Sequence, residues 1–259
     1  MVNVIITGAC GRMGSRITDL ARNENRISVK GLVDRSDCDC FGKELFPGLI
    51  VTSDLVKVID QCDIVIDFTS PKSSLQYLEA ASKHKKGIVI GTTGFDDKQI
   101  KEINNYSNSV PVVFAPNMSV GVNVLFKIIQ EAAGLLNGYD VEIIEAHHNK
   151  KKDAPSGTAK RIAEIVSKEL GYSLGDSVVY GRSGNVGERK KKEIGIHSIR
   201  AGNIIGDHTI CFASSTESIE LKHRAFSRDA LAEGAIRAAI WLKGKGPGLY
   251  SMNDILGLK

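Results

Sequence analysis

Residues 145–159 hold the groups in this chain that are best suited to proton chemistry on an anionic ligand. They read Glu-Ala-His-His-Asn-Lys-Lys-Lys-Asp-Ala-Pro-Ser-Gly-Thr-Ala. Imidazoles titrate near neutral pH, and ammonium groups attract carboxylates or phosphates. The Ser-Gly-Thr turn predicts the start of a helix, where backbone N–H groups are available to an anion. The run therefore indicates a site that binds an anion and transfers a proton, the alternative being a solvated basic loop with a helix cap.

A glycine-rich segment near the N-terminus indicates a dinucleotide site. Residues 8–14 read Gly-Ala-Cys-Gly-Arg-Met-Gly, between a predicted strand at residues 2–6 and a predicted helix that ends near residue 22. Glycines allow a tight turn and a close approach of the backbone to a pyrophosphate, which then lies at the helix N-terminus. The spacing is G-x-x-G-x-x-G rather than G-x-G-x-x-G, so a glycine turn with a purely structural role is the alternative.

Asp34 and Arg35 come directly after a second predicted strand at residues 27–33, about 20 residues after the glycine loop. An aspartate at this position accepts hydrogen bonds from the adenosine ribose, whereas an arginine pairs with a 2′-phosphate. The chain carries both groups, so we expect it to use both NADH and NADPH. The alternative is an Asp-Arg pair that lies in solvent at the end of a strand.

Small polar residues also follow the later predicted strands of this region. The segments are Asp-Phe-Thr-Ser-Pro at residues 67–71, Gly-Thr-Thr-Gly at 91–94 and Ala-Pro-Asn-Met at 115–118. Each alone could be an ordinary loop. Because ligands bind at the carboxyl ends of strands in open α/β sheets, three such segments on one edge predict a nicotinamide cleft.

The order of predicted elements changes near residue 119. Before it, short apolar strands at 64–68, 87–90 and 112–114 alternate with helices at 73–83 and 96–104, which is typical of a doubly wound parallel α/β domain. After a helix at 119–136 we predict a strand at 141–145, a helix at 156–170, antiparallel strands between 194 and 221, and a helix at 227–242 capped by Ser227. The basic, glycine-rich residues 180–192 predict a mobile loop. The second region is therefore α+β.

Composition narrows the function classes. The chain has 259 residues, 42% apolar and 25% charged, which is ordinary for a globular protein. A net charge of only +4 and an aromatic content of 6% favour small anions over nucleic acid as partners. No apolar run reaches the about 18 residues that span a bilayer, and no signal-peptide pattern is present, so we expect a cytoplasmic protein with no membrane partner.

The five cysteines are scattered, which favours a reducing compartment. Cys38 and Cys40 are two residues apart, a poor half-site for zinc, and no second Cys/His pair follows at a suitable distance. We therefore expect no metal site.

The motifs together resemble the dihydrodipicolinate reductase (4-hydroxy-tetrahydrodipicolinate reductase) family of lysine and diaminopimelate biosynthesis. The resemblance rests on residues 8–14, 67–71, 91–95, 115–124 and above all 145–159, and it covers nearly the whole chain. It implies a Rossmann-like dinucleotide domain over 1–118, rejoined by about 240–259. It also implies an α+β substrate-binding and oligomerisation domain over 119–239, with a mixed, largely antiparallel sheet, and a homotetramer. The implied reaction is reduction of a cyclic, unsaturated dicarboxylate to tetrahydrodipicolinate by NADH or NADPH.

The resemblance also implies residue roles. His147 handles the proton with Lys151 beside it, and His148, Gly157 and Thr158 bind the substrate carboxylates. The implied cofactor contacts are Gly8, Ala9, Cys10, Gly11, Arg12, Met13, Asp34, Arg35, Gly91, Thr92, Thr93, Ala115, Pro116, Asn117 and Met118. Alignment backwards from the aspartate at 153 selects Lys151 among three consecutive lysines. Some members carry a basic residue where this chain has Ser70, which weakens the expected grip on a 2′-phosphate.

Two other functions compete with this interpretation. A related two-domain dehydrogenase of amino-acid pathways would act on an aldehyde or alcohol, but an acyl-enzyme would need a cysteine near the two histidines, and none is close in sequence. A dinucleotide-sensing regulator would bind nucleic acid, yet no helix-turn-helix, zinc-finger or RNA-binding signature is present.

Overall fold

The structure is a computed structural model that describes residues 1–258 and divides the chain into two compact units. The first unit contains Met1–Val120 and the chain from Arg228 onward, and the second contains Gly121–Ser227. Within the described residues, no helix combines the length and the apolar character needed to cross a membrane.

The first unit is built on an eight-stranded sheet. Its strands are β1 (Val2–Thr7), β2 (Ile27–Val33), β3 (Glu44–Phe46), β4 (Leu49–Thr52), β5 (Ile64–Asp67), β6 (Gly87–Ile90), β7 (Pro111–Phe114) and, near the chain end, β13 (Gly248–Tyr250). They lie in the order β13-β7-β6-β5-β1-β2-β4-β3, and every pair is parallel except β3 with β4. All residues of β5 and β6 are buried, as expected for a parallel sheet covered on both faces. The predicted doubly wound α/β domain is thereby confirmed.

Helices cover this sheet. They are α1 (Arg12–Arg22), α2 (Pro71–Lys83), α3 (Asp97–Ser107), α7 (Asp229–Leu242) and α8 (Met252–Leu256), with a single 3-10 turn at Ile59–Gln61. The sequence placed the return of the chain to the first unit near residue 240, but the return is at Arg228 because α7 packs on β5, β6, β7 and α1. Its buried face consists largely of alanine and glycine, and the carbonyl of Met118 lies where a Cβ on Gly234 would be. Small residues allow this close approach.

The second unit pairs helices with a five-stranded mixed sheet. Its elements are α4 (Val120–Leu135), β8 (Asp140–His147), α5 (Gly157–Glu169), α6 (Leu174–Ser177), β9 (Val178–Tyr180), β10 (Ile194–Arg200), β11 (Gly206–Ala213) and β12 (Ser218–Ala225). The order is β12-β11-β8-β10-β9; β11 is antiparallel to both neighbours, whereas β8–β10 and β10–β9 are parallel. The sheet is mixed as predicted, with a larger parallel share because α5 provides a crossover after β8.

One local expectation was wrong. Ser227 is not the cap of α7; Arg228 occupies that position and its side chain makes no capping bond among the described atoms. In the stretch at residues 180–192, which the sequence predicts to be a mobile loop, Arg182 and Arg189 pair with Glu142 on β8. Pairing across 40 or more positions of sequence gives no local signal.

Candidate active site

The glycine loop joins β1 to α1 in the form that a pyrophosphate site requires. Gly8 has φ +69°, and a Cβ there would lie 2.6 Å from the carbonyl oxygen of Phe68, so only glycine fits. The N–H of Gly11 donates to the carbonyl of Gly8 at 3.0 Å and closes the turn. Gly11 has no side chain to cap α1, so the helix N-terminus is open to an anion.

Asp34 anchors this loop. Its carboxylate accepts hydrogen bonds from the N–H of Cys10 and the N–H of Arg35, both at 2.8 Å. The sequence suggested only a ribose acceptor, but each carboxylate oxygen can accept more than one hydrogen bond, so the two roles are compatible. Arg35 is exposed and its Nε lies 3.5 Å from Asp37, an ion pair that a phosphate could replace.

A fully buried aspartate ties together the ends of three strands. Asp67 accepts hydrogen bonds from the hydroxyls of Thr7 at 2.6 Å, Thr69 at 2.7 Å and Thr92 at 3.0 Å, and from that of Ser74. Burial raises the pKa of Asp67, and the hydroxyl donors oppose that rise. The strand-end segment at residues 67–71 therefore turns its carboxylate inward rather than toward a ligand.

Several predicted cofactor residues have buried side chains. Thr92 hydrogen-bonds within the Asp67 cluster, and Ala115 and Met118 lie in the core, so only their backbones can contact a dinucleotide. The exposed members at this edge of the sheet are Thr93 and Pro116.

The remaining predicted cofactor residues divide in the same way. Ala9 is buried, Met13 packs against the core, and Arg12 is exposed on the first turn of α1. Asn117 is partly exposed, and its Oδ1 accepts the N–H of Ser119 at 2.9 Å. The Phe68 ring fills the space that a Cβ on Gly91 would take, which is a packing reason for that glycine.

In the second unit, a buried carboxylate orients His147. Glu145 and His147 share one face of β8 because side chains alternate along a strand. Glu145 Oε2 lies 2.6 Å from His147 Nδ1. Arg200, the partner of His147 in the β8–β10 register, donates to both oxygens of Glu145, at 2.8 and 2.7 Å. The N–H of Ser156 donates to Glu145 Oε1 at 3.1 Å.

These contacts set the charges. Burial acts to raise the pKa of Glu145, but hydrogen bonds from Arg200, Ser198 and His147 outweigh it and lower the pKa to about 2. The ionised carboxylate therefore accepts Nδ1–H of His147, which leaves Nε2 as the nitrogen that gains and loses a proton. Burial lowers the pKa of His147, Glu145 partly offsets this, and Lys151 lowers it further. Burial is therefore a larger cause of the lowered pKa than the neighbouring lysine.

A second, buried histidine lies beside His147. The ring centroids of His147 and His208 are 5.2 Å apart, and His208 Nε2 lies 2.9 Å from Ser156 Oγ. Burial, followed by His147, lowers the pKa of His208 to about 4, so this ring is neutral at pH 7. A Cβ on Gly206 would lie 3.1 Å from His147 Nε2, so the glycine leaves that nitrogen uncrowded.

The structure distinguishes among the three lysines. Lys151 is partly buried and its Nζ lies 2.9 Å from Asp153 Oδ1, whereas Lys150 and Lys152 are exposed. The hydrogen bond from Lys151 lowers the pKa of Asp153. The ion pair joins two residues of this loop.

Helix α5 begins directly after the loop that carries Lys151 and Asp153. Ser156 caps it by accepting the N–H of Ala159 at 3.2 Å, and a cis peptide bond joins Ala154 to Pro155. A Cβ on Gly157 would meet nothing within 4 Å, so the space beside the first turn, which also carries the partly exposed Thr158, is open. His148 is partly buried, and its carbonyl accepts the N–H of Lys151 at 3.1 Å.

Comparison with known proteins identifies the family. The model of the N-terminus of dihydrodipicolinate reductase matches residues 2–118, and the model of its C-terminus matches residues 121–256. The chain belongs to the dihydrodipicolinate reductase family. The 4-hydroxy-tetrahydrodipicolinate reductases of Syntrophotalea carbinolica and Syntrophus aciditrophicus are 48% and 46% identical to it, each over 100% of both chains.

Solved structures support the fold of this family member. The dipicolinate-bound dihydrodipicolinate reductase of Paenisporosarcina sp. TG-14 superposes with a TM-score of 0.78 at 24% identity, over 97% of both chains. An amine dehydrogenase of Mycobacterium smegmatis shares the fold more distantly, with a TM-score of 0.60 at 11% identity, over 97% of this chain and 95% of the other.

Four residues that surround His147 had no role in the sequence interpretation. Glu145 lies inside the motif at residues 145–159 but was given no role there, and Arg200 lies outside the motif. His208 and Gly206 lie on β11, almost 50 positions beyond the end of the motif, and carry no local signal. The alternation of inward and outward side chains along a strand could have indicated that His208 is buried, but not that it lies beside His147.

Replacing Asp67 with alanine is expected to destabilise the protein by roughly 3 kcal/mol or more, because four hydroxyl groups lose a buried acceptor. The unfolding midpoint in urea measures this. Asp60→Ala, at an exposed carboxylate, is the control and should cost less than about 1 kcal/mol. Equal losses in the two variants would contradict the role given to Asp67.

The low pKa of His208 makes stability depend on pH. Its folded value, about 4, lies below the ordinary 6.5, so its contribution is complete above pH 6.5 and is lost as the pH falls toward 4. The loss between pH 7 and pH 5 should be about 2 kcal/mol. Urea unfolding at both pH values should therefore show a smaller loss for His208→Asn than for the parent protein. The same loss in both proteins would refute the assignment.

Proposed function

We propose that this protein reduces 4-hydroxy-tetrahydrodipicolinate (dihydrodipicolinate) to tetrahydrodipicolinate with a reduced nicotinamide dinucleotide, in lysine and diaminopimelate biosynthesis. The observation that carries the proposal is the buried Glu145 carboxylate, which holds His147 with Nε2 uncrowded beside a cationic loop. Full-length similarity to named reductases of this activity supports the same substrate.

The two units divide the work in this proposal. The first unit, with its glycine loop and Asp34, binds the dinucleotide. The second, with the histidines and the N-terminus of α5, binds the cyclic dicarboxylate. A dicarboxylate suits the second unit because His148, Lys151 and the N–H groups at the start of α5 can all donate to anionic oxygens.

His147 is the proposed acid. The glycine loop and Asp34 would hold a reduced dinucleotide, which would supply a hydride to the substrate ring, and the neighbouring ring carbon would then need a proton. Protonated His147 delivers it from Nε2, while Glu145 stabilises the cationic ring before transfer. Burial lowers the pKa of His147 and makes that proton easier to release.

Carboxylate recognition falls to the residues around the acid. Gly157 and Thr158 lie in the first turn of α5, where N–H groups point out of the helix and the dipole favours negative charge. Lys151 adds a full positive charge, and its ammonium group forms an ion pair with Asp153. A substrate carboxylate would compete with Asp153 for this ammonium group.

For the cofactor we propose that both NADH and NADPH are used. Asp34 suits the ribose hydroxyls of NADH, and the exposed Arg35 suits the 2′-phosphate of NADPH. Ser70 caps α2 by accepting the N–H of Ser73. As a serine it provides no positive charge for a 2′-phosphate. Lys72 follows two residues later and is the remaining nearby cation.

We also propose a homotetramer in the cytoplasm, on the strength of the family resemblance. The edge strand β12 supports self-association, because its outer residues are exposed and include Ile219. An unpaired edge with exposed apolar residues favours pairing with another copy.

The direct test is a coupled assay. The substrate would be made in situ from pyruvate and aspartate semialdehyde by its synthase, and oxidation of NADH and NADPH followed separately by absorbance. We expect oxidation of both, with the ratio of kcat/KM values reporting the balance of Asp34 and Arg35. If a folded protein that binds dinucleotide oxidised neither, a related dehydrogenase activity would replace the proposal.

His147→Gln should lower kcat by roughly 10²–10⁴-fold, as expected when a general acid is lost, with cofactor affinity unchanged. His84→Gln is the matched control, because His84 lies in the first unit and pairs with the exposed Asp60. Steady-state kinetics and fluorescence titration with NADH give the two readouts. Normal turnover in His147→Gln would exclude this histidine as the acid.

A further inference from the structure

Three cysteine sulfurs meet beside the glycine loop. Cys10 and Cys40 form a disulfide, and Cys38 Sγ lies 3.7 Å from Cys10 Sγ and 3.6 Å from Cys40 Sγ. All three residues are partly exposed, and their sulfur atoms lie within 4.8 Å of one another. The cysteines are scattered along the sequence, but three of them form a cluster in the structure.

The fold of the first unit creates this cluster. Cys10 follows β1, whereas Cys38 and Cys40 lie on the turn that follows β2, and β1 and β2 are parallel neighbours. Their carboxyl ends therefore lie side by side. The N–H of Cys10 also donates to Asp34 at 2.8 Å, which holds the two loops together.

Two of the three sulfur separations match those of a thiolate metal site, and the third is between the bonded sulfurs of Cys10 and Cys40. Zinc binds cysteine sulfur at about 2.3 Å in tetrahedral sites, which separates two ligand sulfurs by about 3.8 Å. The distances from Cys38 to the other two sulfurs, 3.7 and 3.6 Å, are close to that value. The 6.4 Å between the Cα atoms of Cys10 and Cys40 is compatible with a disulfide and leaves room for the sulfurs to separate on reduction.

The surrounding charge favours a cation. Residues 34–40 contain three aspartates and one arginine, so this turn is net negative before any thiol ionises. Thiolates prefer soft cations, and a site of three cysteines with partial exposure leaves a fourth position for water or another ligand.

We propose that, once the disulfide is reduced, Cys10, Cys38 and Cys40 bind one thiophilic d10 cation of the zinc type. The disulfide form is the metal-free state of the same site. Its reduction by a dithiol transfers two electrons and two protons to Cys10 and Cys40 and leaves the reductant as its own disulfide. Binding of zinc then displaces the thiol protons. This inference goes beyond the reductase reaction and does not depend on it.

Zinc alone is the probe for the test. The protein would be reduced with a dithiol, freed of reductant without oxygen, and titrated with zinc, with bound metal counted by elemental analysis. We expect one tightly bound zinc per chain, and with cobalt(II) in its place, a thiolate-to-metal charge-transfer band. Cys38→Ser should weaken zinc binding by roughly 100-fold or more, since a ligand is lost.

Two controls separate this site from incidental metal binding. Cys211→Ser removes a cysteine of the second unit and should leave zinc binding unchanged. Protein oxidised with diamide, which accepts the two electrons and two protons, should lose the site because two ligands are joined. Equal zinc binding by the reduced parent and Cys38→Ser, no zinc in the reduced parent, or a cobalt spectrum without the thiolate band would overturn the proposal. None of these readouts uses turnover.

Discussion

The ion pair between Glu145 and Arg200 is the contact on which the chemistry of the second unit depends. Glu145 is completely buried, and an isolated buried carboxylate would become protonated. Arg200 donates to both of its oxygens, so the carboxylate keeps its charge with a pKa of about 2. A charged carboxylate fixes the tautomer of His147, and it also binds the backbone at the cap of α5. One buried anion thus positions both the imidazole of His147, the proposed acid, and the N-terminus of α5.

The first unit uses a different solution for its own buried carboxylate. Asp67 has hydroxyl donors rather than an arginine, and its pKa is raised by burial. Hydroxyls stabilise a negative charge less than a guanidinium does, because they carry only partial charges. These hydroxyl groups come from the ends of β1, β5 and β6 and from α2, so Asp67 connects four elements of the first unit. Asp67 therefore holds the strand ends of the first sheet together, whereas Glu145 orients the imidazole of His147.

The glycine loop is tied to its neighbour in two ways. Asp34 accepts the N–H of Cys10, and the sulfur of Cys10 is bonded to Cys40 on the same neighbouring loop. The hydrogen bond holds the loop in either redox state, but the covalent bond exists only when the cysteines are oxidised. The proposed pyrophosphate loop therefore adjoins the disulfide of the proposed metal site.

The sequence by itself determined the elements and motifs that depend on neighbours in the chain. The glycine loop before α1, the cap at Ser156 and the motif around His147 all act within a few residues, so their patterns are legible in one dimension. The alternation of apolar strands with helices likewise indicated a parallel sheet. Elements of three to five residues, such as β3, β13 and α8, are too short for a period to appear.

Only the tertiary structure decided which groups surround these motifs. Arg200 reaches Glu145 from 55 positions away, and His208 reaches Ser156 from 52, because β10 and β11 flank β8. Cys10 meets Cys38 across 28 positions for the same reason in the other sheet. Burial is the largest cause of the lowered pKa of His147, and the burial of a side chain depends on contacts that the neighbouring sequence does not show. Charge state and ligand geometry depend on distances in space, and strand pairing between distant segments sets those distances.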